Sequence, residues 1–332
     1  MKVTVRWVAP RVCFIALITA LFVFLNYGPE YAPLGYSKWV WYGGAYTLIV
    51  LGMGIHVLRK YDHAHVRKRT LTLMTIQLLP NFLLANFILQ DWRAGVFILP
   101  WPLSGPGHLF GKGILAIGAL NINMLWYGIG FLAMLSIAVF IYGRRVQCSW
   151  ICTYGALAET LGEPWRSRAP EGKVYGRWEW LSIVVFSVVL GLTVWLFLKL
   201  MLSGGLEALQ SGELMWGLSE SLPMQLYKAF VSVGLMSIVA ISMYPIFGGR
   251  IWCRYFCPAG RLFRWIGGAG RTVIMGSKEE CTKCRKCTRV CEMGIDVCEY
   301  VQSGLPIRQD ICVGCAICIA VCPKNNLHFA TR

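Results

Sequence analysis

Apolar residues are gathered into long blocks along this chain, and polar residues separate the blocks. Six blocks have the length and composition of a buried helix, at positions 12–27, 39–58, 70–89, 123–142, 179–202 and 225–247. A bilayer core about 30 Å thick is crossed by about 20 residues of helix. We therefore predict an all-α membrane domain of about six transmembrane helices.

Basic residues fall mainly between alternate blocks. They lie in the N-terminal segment, in the second and fourth connections between blocks, and in the C-terminal segment that begins at Arg250, called the tail below. Short segments rich in Lys and Arg stay in the cytoplasm. This pattern predicts a multi-pass protein of the inner, cytoplasmic membrane of a prokaryote, with both termini in the cytoplasm.

Composition agrees with the block pattern and adds one new feature. Hydrophobic residues make up 56% of the chain and charged residues only 14%, against about 25% charged residues in a soluble domain. The chain has 32 Lys and Arg but 16 Asp and Glu. Topology accounts for this excess without a nucleic-acid partner. The new feature is the presence of 14 cysteines.

Eight cysteines form two runs in the tail with C-x2-C-x2-C-x3-C spacing. Three thiolates of such a run bind one iron–sulfur cubane, and the fourth reaches the neighbouring cluster. We assign the ligands of one [4Fe–4S] cluster to Cys281, Cys284, Cys287 and Cys322, and those of the other to Cys312, Cys315, Cys318 and Cys291. The first run has Glu292 where proline usually follows the fourth cysteine.

Other uses of these cysteines fit less well. Zinc sites use C-x2-C pairs separated by longer gaps, and disulfides are rare on a cytoplasmic face. The tail is therefore predicted to be a small α+β ferredoxin domain with two clusters. Cys298 lies between the two runs, and we interpret it as a buried packing residue in preference to a ligand.

A repeat in the membrane part brings in four more cysteines. The segment 140–155 matches 245–260, so that Cys148 and Cys152 correspond to Cys253 and Cys257 at an offset of 105 residues. Cysteines at i and i+4 share one face of a helix, so two such pairs can meet and present four thiolates. A further iron–sulfur centre, a copper centre and thiol redox chemistry all remain open for this site.

Polar residues near the membrane suggest where a quinone could bind. Gln77 and Asn81 interrupt the third block, and amides inside a membrane helix bind a ligand or join helices. His108 lies in the predicted outer loop and is a candidate for relaying quinol protons. Joining helices is the commoner role of such amides.

The two C-x3-C segments followed by a ferredoxin tail resemble the NapH/NosR/CcoG-type membrane polyferredoxins. The resemblance rests on Gly-Arg-Arg-Val-Gln-Cys-Ser-Trp-Ile-Cys (143–152), Arg-Ile-Trp-Cys-Arg-Tyr-Phe-Cys-Pro (250–258), the loop 100–106 and the stretch 293–297. Thr153 replaces the first signature proline. The resemblance implies electron transfer between membrane quinol, cytoplasmic clusters and a partner redox protein.

Together these features predict three regions: transmembrane helices 1–3 with an outer loop (1–122), helices 4–6 with the repeated cysteine pairs (123–270), and the ferredoxin domain (271–332). The predicted function is an electron relay between the quinone pool and a partner, as a subunit of a quinol-linked oxidoreductase complex. The alternative is a copper or iron reductase, or a cofactor-assembly factor, that uses the C-x3-C cysteines.

Overall fold

A computed structural model describes most of the 332 residues. The described ranges are 8–29, 33–88, 100–103, 114–117, 120–170, 178–202, 221–307 and 310–331. His108 and most of the outer loops therefore lie outside the described residues.

The described chain is mainly helical. Its membrane part contains α1 (Val8–Tyr27), α2 (Lys38–Lys60), α3 (Ala64–Leu78) with a π-helical continuation (Leu79–Ile88), β1 (Ile114–Ile117), β2 (Leu120–Asn123), α4 (Met124–Tyr142), a π-helical turn (Val146–Ile151), α5 (Thr153–Glu159), a 3-10 turn (Glu163–Arg168), α6 (Leu181–Leu202), α7 (Leu222–Leu226) with a π-helical continuation (Tyr227–Val239), α8 (Ala240–Ser242), α9 (Tyr244–Phe247), α10 (Ile251–Tyr255) and α11 (Pro258–Gly268). The tail contains β3 (Thr272–Met275), α12 (Lys286–Arg289), α13 (Val297–Gln302), α14 (Ile317–Ala320) and β4 (His328–Thr331).

Five of the described helices are long and apolar enough to cross a membrane. They are Pro10–Tyr27, Lys38–Lys60, Ala64–Ile88, Leu181–Lys199 and Leu222–Ser242. The fourth predicted span corresponds to α4, in which Gly128–Tyr142 is a shorter apolar helix. The mainly helical architecture agrees with the prediction, and the count of six spans stays a prediction.

The third span differs most from its predicted bounds. Its helix begins at Ala64, six residues before the predicted start at Thr70, because the basic turn of residues 67–69 is part of the helix. Arg69 is fully buried there. Hydropathy alone placed the start too late, since it treats every arginine as exposed to water.

The helices bury one side and expose apolar side chains on the other. Leu17, Leu48 and Ile137 are each more than 60% exposed, which suits contact with lipid and not with water. Inside, one core joins the spans and includes Cys152, Cys257 and Trp252. The second half of each sequence repeat is thus part of the membrane core.

The tail forms a small α+β unit that packs against the helical membrane part. Strands β3 and β4 pair antiparallel, with Thr272 opposite Thr331 and Met275 opposite His328. The second core contains the interior of this tail together with Val57, Tyr61 and Val66 from the facing ends of α2 and α3. Apolar contacts therefore fix the tail against the α2–α3 corner.

Candidate functional site

The two membrane-edge cysteine pairs have the same broken-helix geometry. Cys148 lies in a π-helical turn, and the chain becomes extended at Cys152 (φ −61°, ψ 131°) before α5 begins. Cys253 lies in α10, and the chain is likewise extended at Cys257 (φ −68°, ψ 113°) before α11. The expectation that each pair lies on one continuous helix is therefore wrong.

A glycine three residues after the second cysteine makes this break possible. The backbone N–H of Gly260 donates to Cys257 Sγ over 3.1 Å, so the thiol caps α11. A Cβ on Gly260 would lie 3.1 Å from the Cys253 carbonyl oxygen, and one on Gly155 would collide with the Cys148 carbonyl oxygen. The recurrence of C-x3-C-x2-G in both repeats was a sequence signal for this loop that the spacing argument missed.

All four membrane-edge cysteines line one cavity of about 330 Å³. Tyr154, Trp252 and Phe263 give the cavity aromatic walls, and Arg144 lines it with a positive charge. The two halves of the repeat thus place four sulfur donors around one space. Burial raises the pKa of the Cys152 thiol to about 12, so this thiol is protonated at neutral pH when no metal binds it.

The tail cysteines line two further cavities. One, of about 430 Å³, is lined by Cys291, Cys312, Cys315 and Cys318. The other, of about 380 Å³, is lined by Cys281, Cys284, Cys287 and Cys322, and also by Cys298. The structure therefore brings together the members of each predicted ligand set, and it adds a fifth cysteine to one of them.

The two ligand loops have matching backbone conformations. Positive φ angles occur at Lys283 and Arg285 in the first loop and, 31 residues later, at Gly314 and Ala316 in the second. Residues other than glycine rarely adopt this region because Cβ is crowded there. The loops thus repeat in structure as well as in sequence, and each wraps around its own cavity.

Burial governs the protonation of most tail cysteines. It raises the pKa of Cys291 to about 12 and the pKa values of Cys287 and Cys312 to about 11. Cys284 is exposed instead, and its pKa is lowered because the backbone N–H of Lys286 donates to its sulfur. Metal binding to the buried thiols therefore releases protons.

The number and kind of donors at these sites suit an iron–sulfur cubane. Within the described ranges, no three His, Cys, Asp or Glu side chains are grouped as the ligands of one ion. A zinc ion draws its sulfur ligands to about 2.3 Å from one centre, whereas a cubane takes one thiolate at each of four irons. Each of the three cavities is lined by at least four cysteines, the number of thiolates that a cubane takes.

A buried charged cluster lies between the membrane-edge site and the tail. Glu159 accepts from Arg69 at 2.8 Å, from Arg166 at 2.7 Å and from Arg250. Arg166 also pairs with Glu292 at 3.1 Å. Glu292 stands where the ferredoxin pattern usually has proline. Besides pairing with Arg166, it accepts a hydrogen bond from the backbone N–H of Gly249.

Arginines of this cluster connect the cysteine sites. Arg250 donates to the Cys148 carbonyl at 2.8 Å and to Cys253 Sγ at 3.6 Å, and it also lines the cavity of the Cys291 set. Arg69 donates to the Cys315 carbonyl at 2.7 Å. The membrane-edge site thus adjoins the Cys291 set, while the Cys281 set includes the exposed Cys284.

Two of the three quinone candidates lie together beside the membrane-edge site. Gln77 is fully buried; it donates to the Ile151 carbonyl at 3.0 Å and accepts from Tyr46 and Asn81. Its amide therefore joins helices, as such amides usually do. Asn81 Oδ1 is buried and has no partner among the described residues.

Comparison with known proteins agrees with this geometry. The family described as 4Fe-4S binding domain matches residues 122–171 and 230–274. Each of these segments contains one of the two sequence repeats, and together they contain all four membrane-edge cysteines. The eight tail cysteines lie outside the match.

Three relatives match larger parts of the chain. The Escherichia coli protein named "Putative electron transport protein YccM" is 28% identical over 57% of this chain and 52% of its own. The Pseudomonas aeruginosa regulatory protein NosR is 26% identical over 47% of this chain and 21% of its own. The Methylobacillus flagellatus methylamine utilization ferredoxin-type protein MauN is 24% identical over 64% of this chain and 76% of its own.

These matches support the resemblance to the NosR/NapH-type polyferredoxins. The chain spans about half the length of YccM and about a fifth of NosR. No solved structure matches it. The resemblance predicted from the cysteine segments is thereby confirmed.

Proposed function

We propose that this protein relays electrons between the quinone pool and a partner redox protein, as a subunit of a quinol-linked oxidoreductase complex. Cys281, Cys284, Cys287 and Cys322 hold one [4Fe–4S] cluster, and Cys291, Cys312, Cys315 and Cys318 hold a second. A bound cluster supplies reversible one-electron transfer. Support comes from two separate cavities, each lined by all four cysteines of one ligand set, with matching loops.

The membrane-edge cysteines hold a third iron–sulfur cluster in this proposal. Cys148, Cys152, Cys253 and Cys257 line a single cavity, and a 4Fe-4S family matches both segments that carry them. All four donors are sulfur, which suits iron–sulfur clusters and copper(I) alike. The family match favours the cluster over copper.

The observation that carries the proposal is the contact between the membrane-edge site and the second tail site. Arg250 touches Cys253 and the Cys148 carbonyl, and it lines the cavity of the Cys291 set. Ser149 Oγ donates to the Val313 carbonyl at 2.8 Å. These contacts hold the two sites in one packed body, as electron exchange between them requires.

The quinone part of the proposal rests on the neighbourhood of Cys152. Gln77 donates to the Ile151 carbonyl, and Tyr46 donates to the Thr153 carbonyl at 3.1 Å, so both side chains bind the residues next to this cysteine. Asn81 in turn donates to Gln77. The free carbonyl oxygen of Asn81 can accept from a quinol hydroxyl. The inner-membrane location and cytoplasmic termini belong to the same proposal.

The test counts iron and acid-labile sulfide in the full chain, purified anaerobically in detergent. We expect about 12 irons, four for each cubane, and a loss of about four in the Cys148→Ser/Cys253→Ser variant. Cys13→Ser, at an exposed cysteine, is the matched control and keeps the full content.

Two other outcomes would decide against parts of the proposal. Unchanged iron in the double variant would exclude the third cluster, and copper in its place would favour the metal-reductase or assembly function. Adding a quinol to the oxidised protein should produce the EPR signals of reduced clusters. If quinol produces no such EPR signals while dithionite produces the full signals, the quinone relay is excluded.

A further inference from the structure

Cys298 is the fifth cysteine in the cavity of the Cys281 set. It is the second residue of α13 and is buried, with 7% of its surface exposed. Cys281 lines the same cavity, and the two thiols interact across it. A buried thiol that lines the cavity of a ligand set is placed differently from a thiol that only fills the core.

The helix that carries Cys298 is fixed to the ligand loop by polar contacts. The backbone N–H of Cys298 donates to Thr288 Oγ1 at 3.0 Å, and Thr288 donates to Asp296 at 3.0 Å. Arg285, next to Cys284, donates to Asp296 at 2.7 Å. The position of Cys298 relative to the loop is therefore defined by the fold.

The second ligand loop has no counterpart of this cysteine. At the 31-residue offset that relates the two loops, the residue equivalent to Cys298 is Phe329. Phe329 stacks under the guanidinium of Arg145 and does not line the cavity of the Cys291 set. The fifth cysteine thus belongs only to the site with the exposed loop, where Thr282, Lys283, Cys284 and Arg285 all face solvent.

We propose that Cys298 is a reserve ligand of the first cluster site and takes the place of Cys281 when that thiolate is lost. This inference rests on the proposed function, which places a cluster between Cys281, Cys284, Cys287 and Cys322. In the exchange, the iron–sulfur bond to Cys281 breaks and one to Cys298 forms. The proton of the Cys298 thiol passes to the released Cys281 thiolate, and no oxidation state changes.

An exposed ligand set benefits most from such a reserve. Exposure makes a cysteine prone to oxidation, and in this set Cys284 is exposed and Cys281 is only half-buried. The Cys291 set is more enclosed, with Val313, Ala316 and Ile317 buried around it. A spare sulfur next to the more exposed site slows the loss of its cluster.

Four variants of the full chain test this proposal by iron content and EPR. Cys281→Ala should keep the first tail cluster with an altered EPR spectrum, and Cys298→Ala should keep it unaltered. Cys281→Ala/Cys298→Ala should lose about four irons. Cys287→Ala is the matched ligand control; we expect it to lose the cluster even though Cys298 is present.

Equal iron loss in Cys281→Ala and in the double variant would overturn the reserve-ligand role. A wild-type chain without two tail clusters would instead overturn the proposed function, so the two failures are distinguishable. A second measurement avoids ligand variants that fail to fold. In air, the first-cluster signal of Cys298→Ser should decay at least twofold faster than that of wild type or Cys13→Ser, and equal decay rates would again overturn the proposal.

Discussion

Glu159 accepts from three arginines in a part of the molecule closed to water. Its side chain is 1% exposed, and the facing side chains of Arg69, Arg166 and Arg250 are 0 to 4% exposed. Burial alone would raise the pKa of this carboxyl, but the three guanidiniums outweigh burial and hold the pKa well below its usual range. The carboxylate is therefore charged throughout the physiological range and compensates the buried cations.

Replacing Glu159 by Gln removes the charge and leaves the arginines in excess. Removing one partner of a buried ion pair costs about 3–5 kcal/mol, so we expect a strongly lowered Tm in detergent. Because the folded pKa lies below the unfolded value of about 4.3, the contribution of Glu159 is present above pH 4.3 and is lost only as pH falls through the folded pKa. Glu292 in the same cluster has its pKa raised by burial to about 7 and titrates between pH 5 and pH 8, so the Tm difference need not be constant, but it should not shrink as pH falls from 8 to 5.

The control for this variant is Glu299→Gln at an exposed residue of α13, where we expect little change in Tm. A Tm difference for Glu159→Gln that shrinks between pH 8 and pH 5 would contradict the assignment of a depressed pKa. A difference no larger than that of Glu299→Gln would contradict the compensating role of the carboxylate.

At the scale of elements, the two sequence repeats meet backbone to backbone. A Cβ on Gly162, just after α5, would lie 2.9 Å from Gly249 Cα and 2.6 Å from the Ala158 carbonyl oxygen. Gly249 immediately precedes Arg250 and donates to Glu292. Because Gly162 and Gly249 have no side chains, the first repeat, the second repeat and the tail can pack closely against one another.

The Gly162→Ala variant should separate these elements. Its Cβ meets backbone atoms, which cannot rotate away, so we expect a cost of about 1–3 kcal/mol and partial loss of the membrane-edge cluster. Gly191→Ala, in α6 with no atom within 4 Å of the added Cβ, is the matched control. Thermal denaturation and iron counting would check both, and equal behaviour of the two variants would contradict the close crossing.

At the scale of the whole molecule, the distribution of charge predicts how the chain lies in the membrane. Most of the 32 Lys and Arg residues fall on one predicted face, and the tail packs against the α2–α3 corner on that face. Several of these cations are buried, including Arg69, Arg166 and Arg250. The basic residues that make up the excess charge therefore form buried ion pairs as well as setting the predicted topology.

Reporter fusions test the orientation. A fluorescent protein fused after Arg332 should fluoresce, and alkaline phosphatase at the same place should be inactive, because both report a cytoplasmic terminus. Phosphatase fused after Leu202, at the end of α6, should be active. The reverse pattern would place the tail and its cysteines outside the cytoplasm and contradict the predicted topology.

The sequence by itself determined the membrane class of the protein, the approximate helical spans, the repeat and the grouping of cysteines by motif. These features depend on local physics: hydropathy sets what can lie in lipid, and ligand spacing along a loop sets what can surround a cluster. The predicted bounds of a helix were wrong where a buried charged residue lies in that helix, as Arg69 does. Its partner, Glu159, lies far along the chain, so the local sequence does not reveal it.

Only the tertiary structure decided the long-range features. It placed Glu292 against Arg166, broke the helix at Cys152 and brought Cys298 to the cavity of the Cys281 set. Each depends on residues far apart in the chain, or on close approaches that glycines such as Gly155 and Gly162 permit. Periodicity and composition describe one segment at a time, and contacts between segments are set by packing of the folded chain.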